Sequence, residues 1–345
     1  MVTRRELFAA ASMSYVVSAF RRAVDGSSAF NHAANDSPAF GRIVDAAASM
    51  RFGYAAITWG SDITQAIDDI AAVGFRAIQL RGEAFAQFGD RPAALRERLE
   101  QRRLAFAVLS SGNLSIDPAR ERDELATHTR HAQFVRDARG ACLQVIDERP
   151  KGRAVTPDDF RRLGRLMTEL GKRTAGLGVP LVYHHHMNST GEKPDEVAAV
   201  LDAADARYVR LLFDIAHYQQ GGGDPVLAIR HYRDWIDVVH LKDVRPDEGS
   251  GGTGAAGGSG RSGGSGGSGQ SGGSRGTLQA GGGYQFVELG RGRIDLPGVF
   301  AALHDINYDK WAIVELDRVP DPGRTPKEAA ETNKRYLIEQ AHQTI

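Results

Sequence analysis

PLVYHHHMNSTGEKPDEVAAVLDAADARYVRLLFDIAH, residues 180–217, is the stretch on which the fold turns. Two apolar runs of β character, PLVYHHH and VRLLFDIAH, flank a longer segment of helical period, and each run ends in ionisable residues. Side chains alternate between the two faces of a strand, so His184 and His186 share one face and His185 turns to the other. Two imidazoles converging on one side begin a site.

The same pattern recurs outward in both directions. FGYAAITW (52–59), RAIQLRG (76–82), LAFAVLSSG (104–112), CLQVIDE (142–148), DVVHLKD (237–243) and WAIVELD (311–317) bring the β-type runs to eight. Between them lie segments such as SDITQAIDDIAAVGF (61–75). There Ser61 or Asp62 can cap a helix, Ile63, Ile67 and Ile70 mark one face, and Gly74 closes it. TPDDFRRLGRLMTELGKRTAGLG (156–178) repeats the design with Thr156 as cap. Near-continuous apolar strands alternating with amphipathic helices predict a parallel sheet covered by helices, and eight such units close into an α/β fold, the (β/α)8 TIM barrel. We assign that catalytic barrel to residues 50–345.

Composition narrows the function. The chain has 345 residues, 41% hydrophobic and 25% charged, ordinary for a protein with a large core. Lys+Arg and Asp+Glu balance at 43 each, so no global basic field exists to hold nucleic acid. Cys142 is the single cysteine, which excludes an intrachain disulfide framework and a Cys-rich zinc module. Any metal must use histidines and carboxylates. No apolar run approaches the ~20 residues of a membrane span.

Two segments read differently. Residues 1–49 carry Arg4 and Arg5 ahead of a short, weakly apolar stretch, a resemblance to a twin-arginine export signal that points to the periplasm, and the small residues of VDAAAS (44–49) offer a processing site. A second pair, Arg21 and Arg22, follows that stretch. The alternatives are a disordered tail, or an upstream extension of a cytoplasmic protein that starts at Met50. The Gly/Ser-rich residues 249–283 cannot bury enough apolar area to offset their ordering entropy, so a disordered, flexible loop is expected after the seventh strand, as a lid or as a tolerated expansion.

In such a barrel, chemistry is assembled at the carboxyl ends of the strands. Those ends carry Asp147 and Glu148, His184 and His186, Asp214 with His217, His240 with Lys242 and Asp243, and Glu315 with Asp317. Strands buried on both faces ordinarily end in apolar or small residues, and one divalent cation neutralises such a set together. Asp214, His240 and Glu315 are the expected ligands, with His184 or Glu148 as the fourth. A mixed His/carboxylate shell suits Mn²⁺, Co²⁺, Zn²⁺ or Mg²⁺. Lys242 can stabilise a developing enolate oxygen or pair with a rim carboxylate. His186 and His217 can exchange protons near neutral pH. Tyr54, Trp59 and Arg81 are expected to line a polyol pocket, Trp59 by stacking on a sugar face.

Taken together, VYHHHM (182–187), FDIAH (213–217), HLKDVR (240–245), GRGRIDL (290–296) and WAIVELDRVPDP (311–322) make the chain resemble the sugar isomerase and epimerase superfamily of xylose-isomerase-like barrels, and within it the inosose dehydratases. The resemblance covers residues 51–340 apart from the glycine-rich segment. It implies a divalent metal held by Asp214, His240 and Glu315. Relatives usually carry glutamate where this chain has His184, and commonly glutamate at the end of the second strand where it has Gln79. Those departures, together with the glycine-rich segment and the export-like leader, point away from inosose itself, to a 3-keto-sugar or 3-keto-glycoside.

The expected activity is a metal-dependent lyase, a dehydratase acting on a keto-polyol. His186 or Glu148 removes the α-proton, and His217, or a histidine on the opposite side of the pocket, protonates the departing β-oxygen. A ketose isomerase or 3-epimerase acting through the same enediolate is the alternative, and a non-catalytic sugar-binding barrel a third. An apurinic endonuclease would want a multi-metal cluster and a basic groove, which the charge balance does not support. Fold-level analogy leaves a homo-oligomer open.

Overall fold

The computed structural model describes residues 50–246 and 283–345. The expected leader lies outside the described residues, as does all of the glycine-rich segment but Gly283. Ten strands are present among the described residues: β1 (Arg51–Ala55), β2 (Ala77–Arg81), β3 (Ala105–Leu114), β4 (Cys142–Asp147), β5 (Leu181–His184), β6 (Val209–Asp214), β7 (Ile236–Leu241), β8 (Asp243–Pro246), β9 (Tyr284–Val287) and β10 (Trp311–Val314). Eight of them close a barrel in the order β1-β10-β7-β6-β5-β4-β3-β2, every pairing parallel. The eight-unit prediction holds.

Local chemistry sets the helices as read. Asp62 caps Ile63–Val73 by accepting from Gln65 N at 3.0 Å, and Gly74 ends that helix in the left-handed region, φ 100°. Thr156 and Asp159 form a capping box at the head of Pro157–Gly176, where Thr156 N donates to Asp159 Oδ2 at 2.8 Å.

The strand residues divide by parity into two cores. Tyr54, Tyr183, Phe213, Val239 and Val314 face outward and belong to the large core shared with the helices. Ala55, Ala77, Val108, Cys142, Val182, Leu212, Val238 and Ile313 form a separate cluster to which every barrel strand contributes, the layer that fills the barrel. Two residues further along each strand the same face carries Ile57, Gln79, Ser110, Gln144, His184, Asp214, His240 and Glu315. The polar ring is the next layer of the barrel.

An antiparallel hairpin, β8 with β9, follows β7. The sequence pattern does not announce it, because its four-residue strands flank the glycine-rich run and carry no period of their own. Asp243 anchors its base, accepting from Gly290 N, Gly292 N and Ile294 N. No helix among the described residues is long and apolar enough to cross a membrane.

Candidate active site

A cavity of about 980 Å³ opens at the carboxyl end of the barrel, lined among others by Gln79, Arg81, Gln144, His184, His186, His217 and Glu315. Beneath it Asp214 is fully buried. Its Oδ1 accepts from Ala216 N and His217 N, both at 2.8 Å, which fixes the carboxylate at the head of the short helix Ile215–Gln220. Its Oδ2 faces His240 Nδ1 at 3.4 Å, His184 Nε2 at 3.6 Å and His217 Nε2 at 3.8 Å. Glu315 Oε2 is 3.3 Å from the same His240 Nδ1.

Supporting amides orient both imidazoles. Gln79 Oε1 accepts from His240 Nε2 at 2.9 Å, so the Nδ1 lone pair of a neutral His240 points at the carboxylates. Gln144 Nε2 lies 2.8 Å from His184 Nδ1 while Gln144 Oε1 has no partner. Turned over, the same amide accepts from Nδ1–H and leaves the Nε2 lone pair of His184 for a cation.

His184 Nε2, Asp214 Oδ2 and His240 Nδ1 are all buried without a hydrogen-bond partner among the described residues. Orphaned polar atoms are costly, and three of them pointing together need a common partner. Asp214 Oδ2 stands 3.4 Å from His240 Nδ1 and 3.6 Å from His184 Nε2, the separation of two donors that share one ion at about 2.1 Å. Two overlapping sets, Asp214 with His240 and Glu315 and Asp214 with His184 and His217, therefore bring together donor atoms that fit a divalent cation.

Without a cation, charge in the cluster divides unevenly. Burial pushes the His184 imidazolium down to about 4. For His240 burial acts in the same direction, but the carboxylates of Glu315 and Asp214 outweigh it and raise it to about 9. Asp214 and Glu315 stay ionised well below the usual carboxylate range, because nearby histidines and Lys242 outweigh their own burial.

The remaining predicted residues divide. His186 lines the cavity, its Nδ1 bonded to Met187 O at 2.7 Å, so Nε2 is its free nitrogen. Its ring packs against that of His217, centroids 3.7 Å apart and the planes tilted by 42°. His217 is buried and held neutral by burial and by His186. His185 turns away between Phe213 and Tyr218, as the strand parity requires, and accepts from Asp214 N at 3.3 Å. Arg81 lines the cavity beside Glu83.

Four expectations need correction. Glu148 does not join the buried donor set: its carboxylate sits at the rim, bound by Arg120 at 2.9 Å and Lys151 at 3.3 Å, whereas His184 Nε2 lies 3.6 Å from Asp214 Oδ2. Lys242 takes its ion-pair alternative, with Glu315 at 3.0 Å, Asp317 at 2.5 Å and its ammonium 4.1 Å from the Phe286 ring centre. Tyr54 does not line the cavity. Ala55 faces the barrel interior, so Tyr54 points into the helix layer, where its hydroxyl accepts from Asn333 Nδ2 at 2.9 Å. Trp59 packs edge-on to Tyr54 and donates Nε1–H to Asp69 at 2.9 Å, away from the cavity.

Gln79 and Gln144 were missed as orienting groups, although their phase on the strands marks them. Tyr284 and Phe286, carried in by the hairpin, and Ser111 and His131 also line the cavity.

A family model described as the xylose isomerase-like TIM barrel matches residues 67–340. Inosose dehydratase of Lacticaseibacillus casei is 28% identical over 316 residues, 84% of this chain and 96% of that protein. Among solved structures, the IOLI protein with a binding zinc atom has a TM-score of 0.65 at 16% identity, covering 84% of this chain and 97% of that one. An L-ribulose 3-epimerase has a TM-score of 0.62 at 16% identity, covering 84% and 93%. At such identity the two structures speak to the shared barrel alone.

Proposed function

Because this chain belongs to the xylose isomerase-like TIM barrel family, we propose that it is a divalent-metal-dependent carbon–oxygen lyase that dehydrates a keto-polyol, an inosose or a 3-keto-sugar or 3-keto-glycoside. The observation that carries the reading is the convergence of three buried, partnerless donors, His184 Nε2, Asp214 Oδ2 and His240 Nδ1, beside Glu315 at the floor of the cavity. The sequence likeness to inosose dehydratase supports the substrate class. Mn²⁺, Co²⁺, Zn²⁺ and Mg²⁺ all suit the donor set.

Held by these four residues, a cation would supply Lewis acidity toward the substrate ketone and so make the neighbouring C–H more acidic. The protein does the rest. His186, with Nδ1 fixed by Met187 O, presents Nε2 as the base for that proton. His217 packs behind it and, kept neutral by burial, can accept a hydrogen bond without adding charge. Arg81 orients substrate hydroxyls at the rim, while Tyr284 and Phe286 cover part of the cavity against water. Lys242 balances Glu315 and Asp317 from below.

Chelated protein is to be reloaded with each metal and incubated with inosose and with 3-keto-glucoside. Ultraviolet absorbance then follows formation of an unsaturated or dione product. Product from metal-loaded wild type, with metal and product both lost in His240→Ala, is expected. Bound metal with an isomerised or epimerised sugar would replace the lyase by the isomerase or 3-epimerase. A protein that binds keto-sugar but no metal would be a sugar-binding barrel.

A further inference from the structure

On the far side of the cavity lies a second set of ionisable groups that the metal centre does not use. In the barrel order β3 stands four strands from β7, so its end faces the wall that carries His240. There the β3–β4 register shifts between Ser110 and Asn113, and Gly112 takes φ 99°. The Ser111 hydroxyl meets two imidazoles at once, His128 Nδ1 at 2.5 Å and His131 Nδ1 at 2.7 Å. Both histidines come from the helix Glu121–Asp137, and Glu124 one turn earlier reaches His128 Nε2 at 3.3 Å. Ser111, His128 and Glu124 are buried, whereas Ser111 and His131 border the cavity.

Hydrogen-bond arithmetic constrains this chain. A hydroxyl has one proton, so Ser111 donates to one Nδ1 and accepts from the other. His128 Nε2 faces a carboxylate and carries a proton. Two arrangements remain. In one, a His128 imidazolium donates to Ser111 and Ser111 donates to His131, whose Nε2 is protonated. In the other, His128 is neutral and Ser111 accepts from His131 Nδ1–H. They differ by one proton delivered at His131 Nε2, which has no protein partner among the described residues. Burial and the nearby charge of His128 lower the His131 imidazolium to about 4.

We propose that Glu124, His128, Ser111 and His131 form a proton relay that protonates the departing oxygen from the wall opposite His240. The proposal rests on the dehydratase reading above. As the substrate β-carbon–oxygen bond breaks, its electron pair stays on oxygen and takes the Nε2 proton of His131, while the enediolate electrons form the new carbon–carbon double bond. His131 Nδ1 takes the Ser111 hydroxyl proton, and Ser111 takes the Nδ1 proton of the His128 imidazolium. Glu124 remains a carboxylate throughout, and its pairing with Arg120 at 2.6 Å keeps it ionised.

The test separates proton removal from oxygen loss. Metal-loaded, full-length wild type, Ser111→Ala and His131→Gln are compared in D₂O with whichever keto-polyol the wild type eliminates, following α-deuterium incorporation and elimination together, with metal content measured on each. Both variants are expected to keep wild-type metal content and α-exchange within about threefold, while elimination falls by about 10²-fold or more, the usual worth of a general acid. Elimination within about threefold of wild type in both variants would overturn the relay alone. So would equal losses of exchange and elimination, the mark of a structural role. A wild type that loads metal yet neither exchanges nor eliminates would instead sink the dehydratase reading and the relay with it.

Discussion

His240 illustrates how much one residue depends on its partners. Its type and place at the end of VVH marked it as a candidate ligand in the sequence, but which nitrogen faces the carboxylates follows from Gln79, 2.9 Å from Nε2. Removing such an orienting partner typically costs 10–100-fold in metal affinity. Gln79→Ala should show a loss of about that size by competition with a chelator, with unchanged far-ultraviolet circular dichroism. Cys142 gives a second prediction. Burial pushes its thiol up to about 12, so in the folded protein it should stay silent to a thiol reagent at pH 8 and react at once in denaturant. Asp214, His240 and Glu315 stand out in the sequence as a set rather than singly, because ionisable groups closing several apolar runs are costly to bury unless something binds them together. Tyr54 and Trp59 do not, because an aromatic suits a pocket and a core equally well.

Elements add phase. Once Ala55, Val182, Leu212 and Val238 are known to face the barrel interior, parity alone sends His184, Asp214 and His240 to the polar ring and Tyr54 to the helix layer. Sequence alternation cannot say which parity faces in when both faces are apolar, and that is why Tyr54 was misplaced. Helix packing is equally specific. Gly164, in the helix Pro157–Gly176, has no room for a methyl group: a Cβ there would lie 2.5 Å from the carbonyl carbon of Ala203, in backbone of the next helical unit. Gly164→Ala gains up to about 1 kcal/mol of helix propensity. Overpacking of about 1–3 kcal/mol works against it, and the backbone contact cannot yield cheaply. We expect a net loss of stability, read as a lower urea midpoint, whereas a raised midpoint would show that the two units separate easily.

At the scale of the whole molecule the buried histidines couple folding to pH. In the metal-free protein His131, His184 and His185 are held to about 4, about 4 and about 3, chiefly by burial, against about 6.5 in an unfolded chain. Below about pH 6.5 the unfolded chain takes up protons that the fold refuses, so their contribution is present above that pH and is lost as pH falls toward 4. His240 runs the other way: raised to about 9, it stabilises the fold below about 6.5 and loses that contribution as pH rises through 9. With His217, likewise held well below its usual value, four groups oppose one, each worth up to about 1.4 kcal/mol per pH unit. Urea midpoints should therefore peak near neutrality and fall more steeply from pH 6.5 to 5 than from 7 to 8.5. A flat profile across the acid side would mean that these imidazoles are solvated in the fold.

Alternation of apolar strands with capped, amphipathic helices was enough, by itself, to determine the closed (β/α)8 barrel, because local periodicity and short connections leave a repeated β–α unit little choice of topology. The ionisable strand ends also announced a candidate metal-binding set there. Only the tertiary structure decided that His184 rather than Glu148 meets Asp214, that Lys242 is held by Glu315 and Asp317, and that Ser111 bridges two histidines of a later helix. Each of those outcomes depends on distances between residues remote in the chain. Local sequence pattern fixes an element and its faces, but a charge finds its partner only when the barrel has closed.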